Sequence, residues 1–232
     1  MPVKIYWAGD STVKQNDFTT YPQTGIGQGM QLFLNHETII RNHAENGRST
    51  KSFIDESRLA AIYNEITAGD YLFIQFGHND AKLEDPARYT EPWGEYQENL
   101  ERFVNVARNR KAHPVFITPL CRRWFDDRGR LRDDIHGDYP EAMIMMSKRL
   151  EVPCIDLYRS SRALINNLGP ERSKGYFMHL APGEYPNYPE GKVDDTHLKY
   201  EGAVAFSELI AKRLKELGGG YEALLRMPEK LV

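Results

Sequence analysis

The sequence contains little cysteine, and long hydrophobic runs are missing. Cys121 and Cys154 are the only cysteines among 232 residues. Two distant cysteines are too few for a disulfide framework or a four-ligand zinc site, so we expect both to be free and mostly buried thiols. No segment approaches the roughly 18 consecutive apolar residues that a membrane-spanning helix needs. These shortages exclude a disulfide-stapled scaffold and a helical membrane protein.

Neither sign of charge is in large excess. The chain has 30 Lys and Arg against 33 Asp and Glu, a net charge of -3. This balance gives no general attraction to nucleic acid or to a membrane surface, so we expect neither as a partner. Residues 1–4 lead directly into an apolar strand pattern without a basic and apolar leader, which predicts a cytoplasmic protein.

The remaining composition is that of an ordinary globular protein. Hydrophobic residues make up 41%, aromatic residues 11% and charged residues 27%. A chain of this length fits one large domain, residues 1–232, better than two. The composition gives no indication of an oligomeric state.

Short apolar segments alternate along the chain with segments of helical periodicity. The predicted strands are 5–8, 38–42, 70–76, 114–118 and 152–157. The predicted helices are 29–35, 57–67, 94–110, 139–150, 160–168 and 201–217, and the stretches 12–29 and 169–193 are predicted loops. The alternation predicts an α/β fold, a three-layer αβα sandwich with a five-stranded parallel sheet of flavodoxin-like topology.

Polar motifs follow the first three predicted strands, and another lies in the last long predicted loop. In a doubly wound sheet the carboxyl ends of the strands are neighbours, although the motifs are far apart in sequence. We therefore expect the motifs to converge on one pocket. They are Gly9-Asp10-Ser11, Asn46-Gly47, Gly77-His78-Asn79-Asp80 and Asp194-Asp195-Thr196-His197.

Three of these residues have the chemistry of nucleophilic catalysis. Ser11 is a poor nucleophile until a base removes its proton, and the imidazole of His197 suits that task near neutral pH. A carboxylate must also hold the imidazole in one tautomer. Asp194 lies three residues before His197 and can curl back to do so, whereas we expect Asp195 to cap the final helix or face solvent.

Acyl transfer also needs hydrogen-bond donors for the oxyanion that develops on the carbonyl oxygen. The backbone N–H groups of Ser11 and Gly47 and the side-chain amide of Asn79 are suitable, and glycine at position 47 allows close approach of the backbone. His78 is interpreted as a structural residue that bonds to a neighbouring loop.

The four motifs, in this order, resemble those of the SGNH (GDSL-like) hydrolase superfamily. Within it the chain looks like the rhamnogalacturonan acetylesterases, on softer matches at residues 7–12, 76–80, 118–119, 122–123 and 136–140. The resemblance implies a flavodoxin-like fold, no cofactor, no metal, and removal of acetyl groups from pectin-derived rhamnogalacturonan. By position it assigns Ser11 as nucleophile, His197 as base, Asp194 as the orienting acid, and Ser11, Gly47 and Asn79 as oxyanion donors.

Other functions are weighed against this one. The same catalytic groups could serve an esterase for other acetylated sugars, such as xylo-oligosaccharides, and a carbohydrate-binding protein could use the fold without catalysis. A metal-dependent phosphoesterase is disfavoured because His78 precedes Asn79 and no Asp-x-His lies upstream. An α/β-hydrolase would carry its nucleophile in Gly-x-Ser-x-Gly, which is absent.

A charged loop after the fourth predicted strand allows two interpretations. Arg122 and Arg123 suit the carboxylates of a uronate-containing substrate. They could equally form internal ion pairs with Asp126 and Asp127. Trp124 could stack on a sugar ring or pack in the core.

Overall fold

A parallel sheet forms the centre of the computed structural model, which describes residues 2–226. Its strands are β1 (Val3–Gly9), β2 (Thr38–Asn42), β3 (Tyr71–Gln75), β4 (His113–Ile117) and β5 (Cys154–Ile155). Their order is β2-β1-β3-β4-β5, and every neighbouring pair is parallel. The five-stranded parallel sheet predicted from the sequence is confirmed, with the strand order of flavodoxin-like folds.

Helices connect the strands and cover both faces of the sheet. They are α1 (Ile26–Met30), α2 (Thr50–Asp55), α3 (Arg58–Glu65), α4 (Glu95–Asn109), α5 (Tyr139–Leu150), α6 (Leu157–Arg172), α7 (Tyr200–Leu217) and α8 (Gly219–Glu222). In the described residues, no helix is both long and apolar enough to cross a membrane. Cys121 and Cys154 are free, as expected.

The central strand β1 sends alternate side chains into two separate cores. Ile5 and Trp7 pack in the core beneath α1, α6 and α7, whereas Tyr6 and Ala8 pack in the core beneath α3, α4 and α5. All four side chains are almost completely buried. This period of two follows from the pleat of a strand. Burial of a large apolar side chain contributes about 1.5–3 kcal/mol, so the two cores fix the position at which β1 ends.

A hairpin near the end of the chain differs from the sequence-based expectation. The sequence predicts a loop at residues 169–193, and the helical path of α6 does break at Gly169, whose φ is +72°. Within that stretch, however, β6 (Phe177–Leu180) pairs with β7 (Lys192–Leu198) in antiparallel orientation. The motif at residues 194–197 therefore lies on a strand. The segment between the two strands is rich in Pro and Gly, a composition typical of a loop. The sequence therefore gives no local indication that the residues on either side of it pair as strands.

Two short helices also differ from expectation. The helix predicted at 29–35 lies at Ile26–Met30, where the Gln28 side chain accepts a hydrogen bond from the Gly25 backbone at 3.0 Å and fixes the first turn. Helix α2 was not predicted, because six residues are too few to show periodicity. Ser49 directly precedes it and caps it, because its side chain accepts a hydrogen bond from the Ser52 N–H.

Candidate active site

The turn after β1 places Ser11 at its apex. The Asp10 carboxylate accepts hydrogen bonds from the Thr12 backbone N–H at 2.9 Å and from the Thr12 hydroxyl at 2.7 Å, which closes the turn around Ser11. The backbone N–H of Val13 bonds to the Asp10 carbonyl at 3.1 Å and continues the turn. Asp10 is fully buried, and this burial raises its pKa. Ser11 itself is partly exposed, so the turn presents its hydroxyl at the surface.

Ser11, His197 and Asp194 form a continuous line of hydrogen bonds. The Ser11 Oγ lies 2.9 Å from His197 Nε2, and His197 Nδ1 lies 2.7 Å from Asp194 Oδ2. These residues come from opposite ends of the chain. The hairpin strand β7 carries the second and third of them to the carboxyl end of β1, and its Leu198 carbonyl is held there by the Thr24 N–H at 2.9 Å.

The environment of Asp194 keeps its carboxylate ionised. Burial acts to raise its pKa, but hydrogen bonds from the His197 ring and from the backbone N–H groups of Thr196 and His197 hold that pKa well below its usual range. Lys192 adds a positive charge 3.1 Å from Oδ2. An ionised Asp194 accepts the Nδ1 proton of His197, which leaves Nε2 as the proton acceptor facing Ser11.

The three expected oxyanion donors follow three adjacent strands. Ser11 follows β1, Gly47 follows β2 and Asn79 follows β3, and β1 lies between the other two in the sheet. Gly47 has a φ of +73°, a conformation that favours glycine. Within residues 2–226, the backbone N–H groups of Ser11 and Gly47 donate to no protein acceptor. Asn79 uses one amide hydrogen to bond the Arg48 carbonyl at 3.1 Å and keeps the other.

Asp80 joins several elements behind these donors, a role that sequence reasoning missed. Its Oδ1 accepts hydrogen bonds from the Thr50 backbone at 3.0 Å, the Thr50 hydroxyl at 2.5 Å and the Thr90 hydroxyl at 3.0 Å. Burial raises the pKa of Asp80 to about 7, although these hydrogen bonds act to lower it. The position of Asp80 directly after Asn79 could have indicated this role, because a buried carboxyl group there can accept hydrogen bonds from the start of α2.

A comparison with protein families gives a match over most of the chain. Residues 8–205 match the model of the GDSL-like lipase/acylhydrolase family. The chain belongs to this family. The matched region contains Ser11, Gly47, Asn79, Asp194 and His197.

Individual relatives of this GDSL-like protein cover nearly its full described length. It is 44% identical to rhamnogalacturonan acetylesterase RhgT of Bacillus subtilis over 217 residues, 94% of this chain and 91% of that protein. It is 39% identical to the probable rhamnogalacturonan acetylesterase YesY of the same organism over 92% of this chain and 93% of that protein. A crystal structure of YxiM from Bacillus subtilis matches with a TM-score of 0.79 and 26% identity, over 94% of this chain and 57% of that one.

In this GDSL-like family member, β7 is braced by an ion pair that the sequence did not indicate. Arg123 is buried and donates to Asp195 Oδ1 at 2.6 Å, and His179 lies 2.7 Å from the same oxygen. The expectation that Asp195 caps the final helix or faces solvent is therefore wrong. So is the pairing of Arg123 with Asp126 or Asp127, because the folded chain offers it an acceptor 72 residues away.

Arg122, the neighbouring arginine, has a different environment. Its Nε donates to His78 Nδ1 at 3.2 Å, one Nη donates to the His78 carbonyl at 3.2 Å, and its guanidinium carbon lies 4.8 Å from the centre of the Trp124 ring. Trp124 is 39% exposed, so it lies outside the core. Burial, the neighbouring ring of His136 and the charge of Arg122 hold the pKa of His78 well below its usual range.

Within residues 2–226, no group of three or more His, Cys, Asp or Glu side chains is arranged to hold a metal ion. His78 and His136 pack edge to face with ring centres 4.5 Å apart. His136 Nε2 lies 2.8 Å from the Leu120 carbonyl. These two rings pack with each other and bond to protein groups.

Proposed function

We propose that the protein is a serine esterase that removes acetyl groups from pectin-derived rhamnogalacturonan oligosaccharides through an acetyl-enzyme intermediate. One observation carries the reaction type: Ser11 Oγ lies 2.9 Å from an imidazole nitrogen whose partner nitrogen lies 2.7 Å from the carboxylate of Asp194. A base held in this way can remove a serine proton. Support for the substrate class comes from the relative named rhamnogalacturonan acetylesterase, 44% identical over most of both chains.

In the acylation step, Ser11 Oγ attacks the carbonyl carbon of the acetyl group and its proton passes to His197 Nε2. The carbonyl oxygen becomes an oxyanion, which accepts hydrogen bonds from the N–H groups of Ser11 and Gly47 and from the Asn79 amide. Asp194 stabilises the imidazolium that forms. The tetrahedral intermediate then collapses, the bond to the sugar oxygen breaks, and His197 gives that oxygen its proton.

In the deacylation step, a water molecule takes the place of the sugar. His197 Nε2 removes a proton from the water as its oxygen attacks the acetyl carbon, and the same donors stabilise the second oxyanion. Collapse releases acetate and returns the proton to Ser11. Groups of the chain itself handle every proton and charge in this proposal, so it involves no cofactor and no metal.

Replacement of the nucleophile tests the reaction type. We expect Ser11→Ala to reduce hydrolysis of 4-nitrophenyl acetate to near the uncatalysed rate, because no other group in the proposal can form the acetyl-enzyme. The matched control is Ser160→Ala, a helix serine whose hydroxyl bonds to the Asp156 carbonyl, and it should keep the wild-type rate. Circular dichroism checks that both variants fold.

Two outcomes would contradict the proposal. In the first, Ser11→Ala hydrolyses the ester at the wild-type rate. In the second, the wild type itself hydrolyses the ester no faster than the uncatalysed reaction. The second outcome is the one that a non-catalytic carbohydrate-binding protein would give. A loss of turnover confined to Ser11→Ala supports an esterase.

Acetate release from defined oligosaccharides tests the substrate class separately. Acetylated rhamnogalacturonan oligosaccharides should give a higher kcat/KM than acetylated xylo-oligosaccharides of similar length. The opposite order, with turnover that still depends on Ser11, would retain the esterase and overturn the substrate. A cytoplasmic location and a single domain over residues 1–232 stay predictions from the sequence.

A further inference from the structure

Arg122 differs from the other arginines around the active site in its lack of an acidic partner. Arg123 pairs with Asp195, and Arg88, whose guanidinium lies beside Gly47, pairs with Asp85 at 2.9 Å. Over residues 2–226, no carboxylate lies within ion-pair distance of Arg122. The carboxylates of Asp10 and Asp194 act on Arg122 only from beyond ion-pair distance. A half-buried guanidinium with no carboxylate in contact can take a ligand carboxylate as its direct partner.

The guanidinium of Arg122 is held in place before any ligand arrives. Its Nε and one Nη donate to His78 Nδ1 and to the His78 carbonyl, so one edge of the fork is occupied. Because His78 Nδ1 accepts this hydrogen bond, the ring is neutral and adds no positive charge. The other amino group, Nη1, makes no hydrogen bond in the described structure and leaves the end of the fork free for a carboxylate.

A surface cavity of about 390 Å³ lies beside Arg122. Arg122, Trp124, Tyr89 and His136 are among the residues that line it. Trp124 offers an apolar ring of the kind on which sugar rings stack, and Arg122 supplies a fixed cation beside it. A site with one aromatic platform and one guanidinium suits a sugar that carries a carboxylate.

Two carboxylates also line this cavity and influence where a charged ligand would lie. Asp134 and Asp138 are both exposed, and Asp138 accepts a hydrogen bond from the Trp93 indole at 2.9 Å. They repel an anionic group at the surface of the cavity. A ligand carboxylate is therefore favoured at the Arg122 end, where it can form two charge-assisted hydrogen bonds.

Arg122 lies within electrostatic range of the proposed catalytic residues. His78, which receives both bonds from Arg122, precedes Asn79 in the chain, and the charges of Asp10 and Asp194 act on Arg122. A carboxylate at Arg122 therefore belongs to a part of the substrate close to the reacting ester.

We propose that Arg122, stacked on Trp124, binds the carboxylate of a uronate-bearing oligosaccharide and so makes the enzyme selective for acidic acetylated substrates. The inference rests on the proposed esterase function and adds the residue that recognises substrate charge. Since a charge-assisted bidentate contact is made in the ground state as well as in the transition state, it should act mainly on KM.

Matched substrates test this role. One preparation of acetylated, uronate-containing oligosaccharide is compared with the same preparation after its carboxylates are converted to methyl esters. The ratio of kcat/KM for the acidic form to that for the methyl-ester form should be about 10 to 100 in the wild type and near 1 in Arg122→Gln. Arg122→Lys, which keeps the charge and loses the planar fork, should give an intermediate ratio.

The control is Arg128→Gln, which removes an exposed arginine of the same loop and should leave the ratio at its wild-type value. Trp124→Leu is a second test variant that leaves the bonds between Arg122 and His78 in place, and it should lower the ratio by a smaller factor. A wild-type ratio near 1, or an unchanged ratio in Arg122→Gln, would overturn the role of Arg122. Either result together with Ser11-dependent hydrolysis of 4-nitrophenyl acetate leaves the esterase proposal standing.

Discussion

At the scale of single residues, the site depends on local turns that the sequence itself specifies. Asp10 closes the turn that presents Ser11, and Asp194 accepts from the Thr196 and His197 backbone N–H groups, each at 2.9 Å. In both arrangements the bonded residues are at most three positions apart in the sequence. This short range is why the choice of Asp194 over Asp195 as the partner of His197 could be made from the sequence alone.

The pairing of Arg123 with Asp195 shows the limit of this approach. Sequence reasoning considered the nearest carboxylates, Asp126 and Asp127, as partners. The actual partner is brought by β7, and Asp126 bonds to Arg130 instead. The residues around Arg123 in the sequence therefore do not indicate an acceptor that lies on a distant strand.

Asn79 provides a prediction at this scale. We expect Asn79→Ala to lower kcat by about a hundredfold or more, because the variant lacks one donor to the developing oxyanion. KM should change much less, since the oxyanion exists only in the transition state and the intermediate. Steady-state kinetics with 4-nitrophenyl acetate measure both constants.

Asn79 also bonds the Arg48 carbonyl, so the folded state of this variant needs its own check. A melting temperature close to that of the wild type, together with the lower kcat, supports the assignment of Asn79 as an oxyanion donor. A folded Asn79→Ala enzyme with wild-type kcat would contradict it.

At the scale of helices and strands, Asp80 joins the loop after β3 to the start of α2. Thr50, the first residue of α2, donates both its backbone N–H and its hydroxyl to Asp80, and the Tyr139 hydroxyl bonds to the Asp80 carbonyl at 2.8 Å. Gly47 lies just before α2 and Asn79 just before Asp80. The same contact therefore holds together the two segments that carry the proposed oxyanion donors Gly47 and Asn79.

The raised pKa of Asp80 predicts a pH-dependent cost to stability. In the unfolded chain this carboxyl loses its proton near its ordinary pKa of 3.8, whereas in the folded protein it keeps the proton up to about pH 7. Between these values the folded state binds one more proton, so the contribution of Asp80 to the free energy of unfolding falls as pH rises.

Asp80→Asn removes this titration and keeps an oxygen that can accept from Thr50 and Thr90. The free energy of unfolding of the variant minus that of the wild type should rise between about pH 4 and pH 7, by up to about 4 kcal/mol, and then level off. Urea unfolding at a series of pH values measures this difference. A difference that stays constant over that range would show that Asp80 is not a buried neutral acid.

Sequence reasoning missed the hairpin of β6 and β7 that carries part of the candidate site. Its strands are separated by a stretch rich in Pro and Gly, and β7 consists mostly of charged and polar residues, whereas β1 and β3 are recognisable apolar runs. The inner strands β1 and β3 are buried on both faces and so have continuous hydrophobic sequences. A partly exposed hairpin has no such signature, although it carries Asp194 and His197.

At the scale of the whole molecule, the order of the strands explains how distant motifs meet. The sheet order β2-β1-β3 places the ends of three strands side by side, with Ser11 in the middle. This part of the site follows from the alternating pattern, because right-handed crossovers leave few arrangements for five parallel strands. The hairpin places His197 Nε2 2.9 Å from Ser11 Oγ. Because the hairpin was not predicted, this contact could be expected only from the catalytic chemistry of serine and histidine.

The central claim is that His197, held by Asp194, activates the hydroxyl of Ser11. Reaction with a fluorophosphonate tests it most directly, because an activated serine displaces fluoride, forms a stable bond from Oγ to phosphorus and passes its proton to the histidine. Peptide mass spectrometry of the labelled protein should place one phosphonyl group on Ser11, with labelling much slower in His197→Ala. Labelling at another residue, or equal rates at Ser11 in the wild type and His197→Ala, would contradict the account.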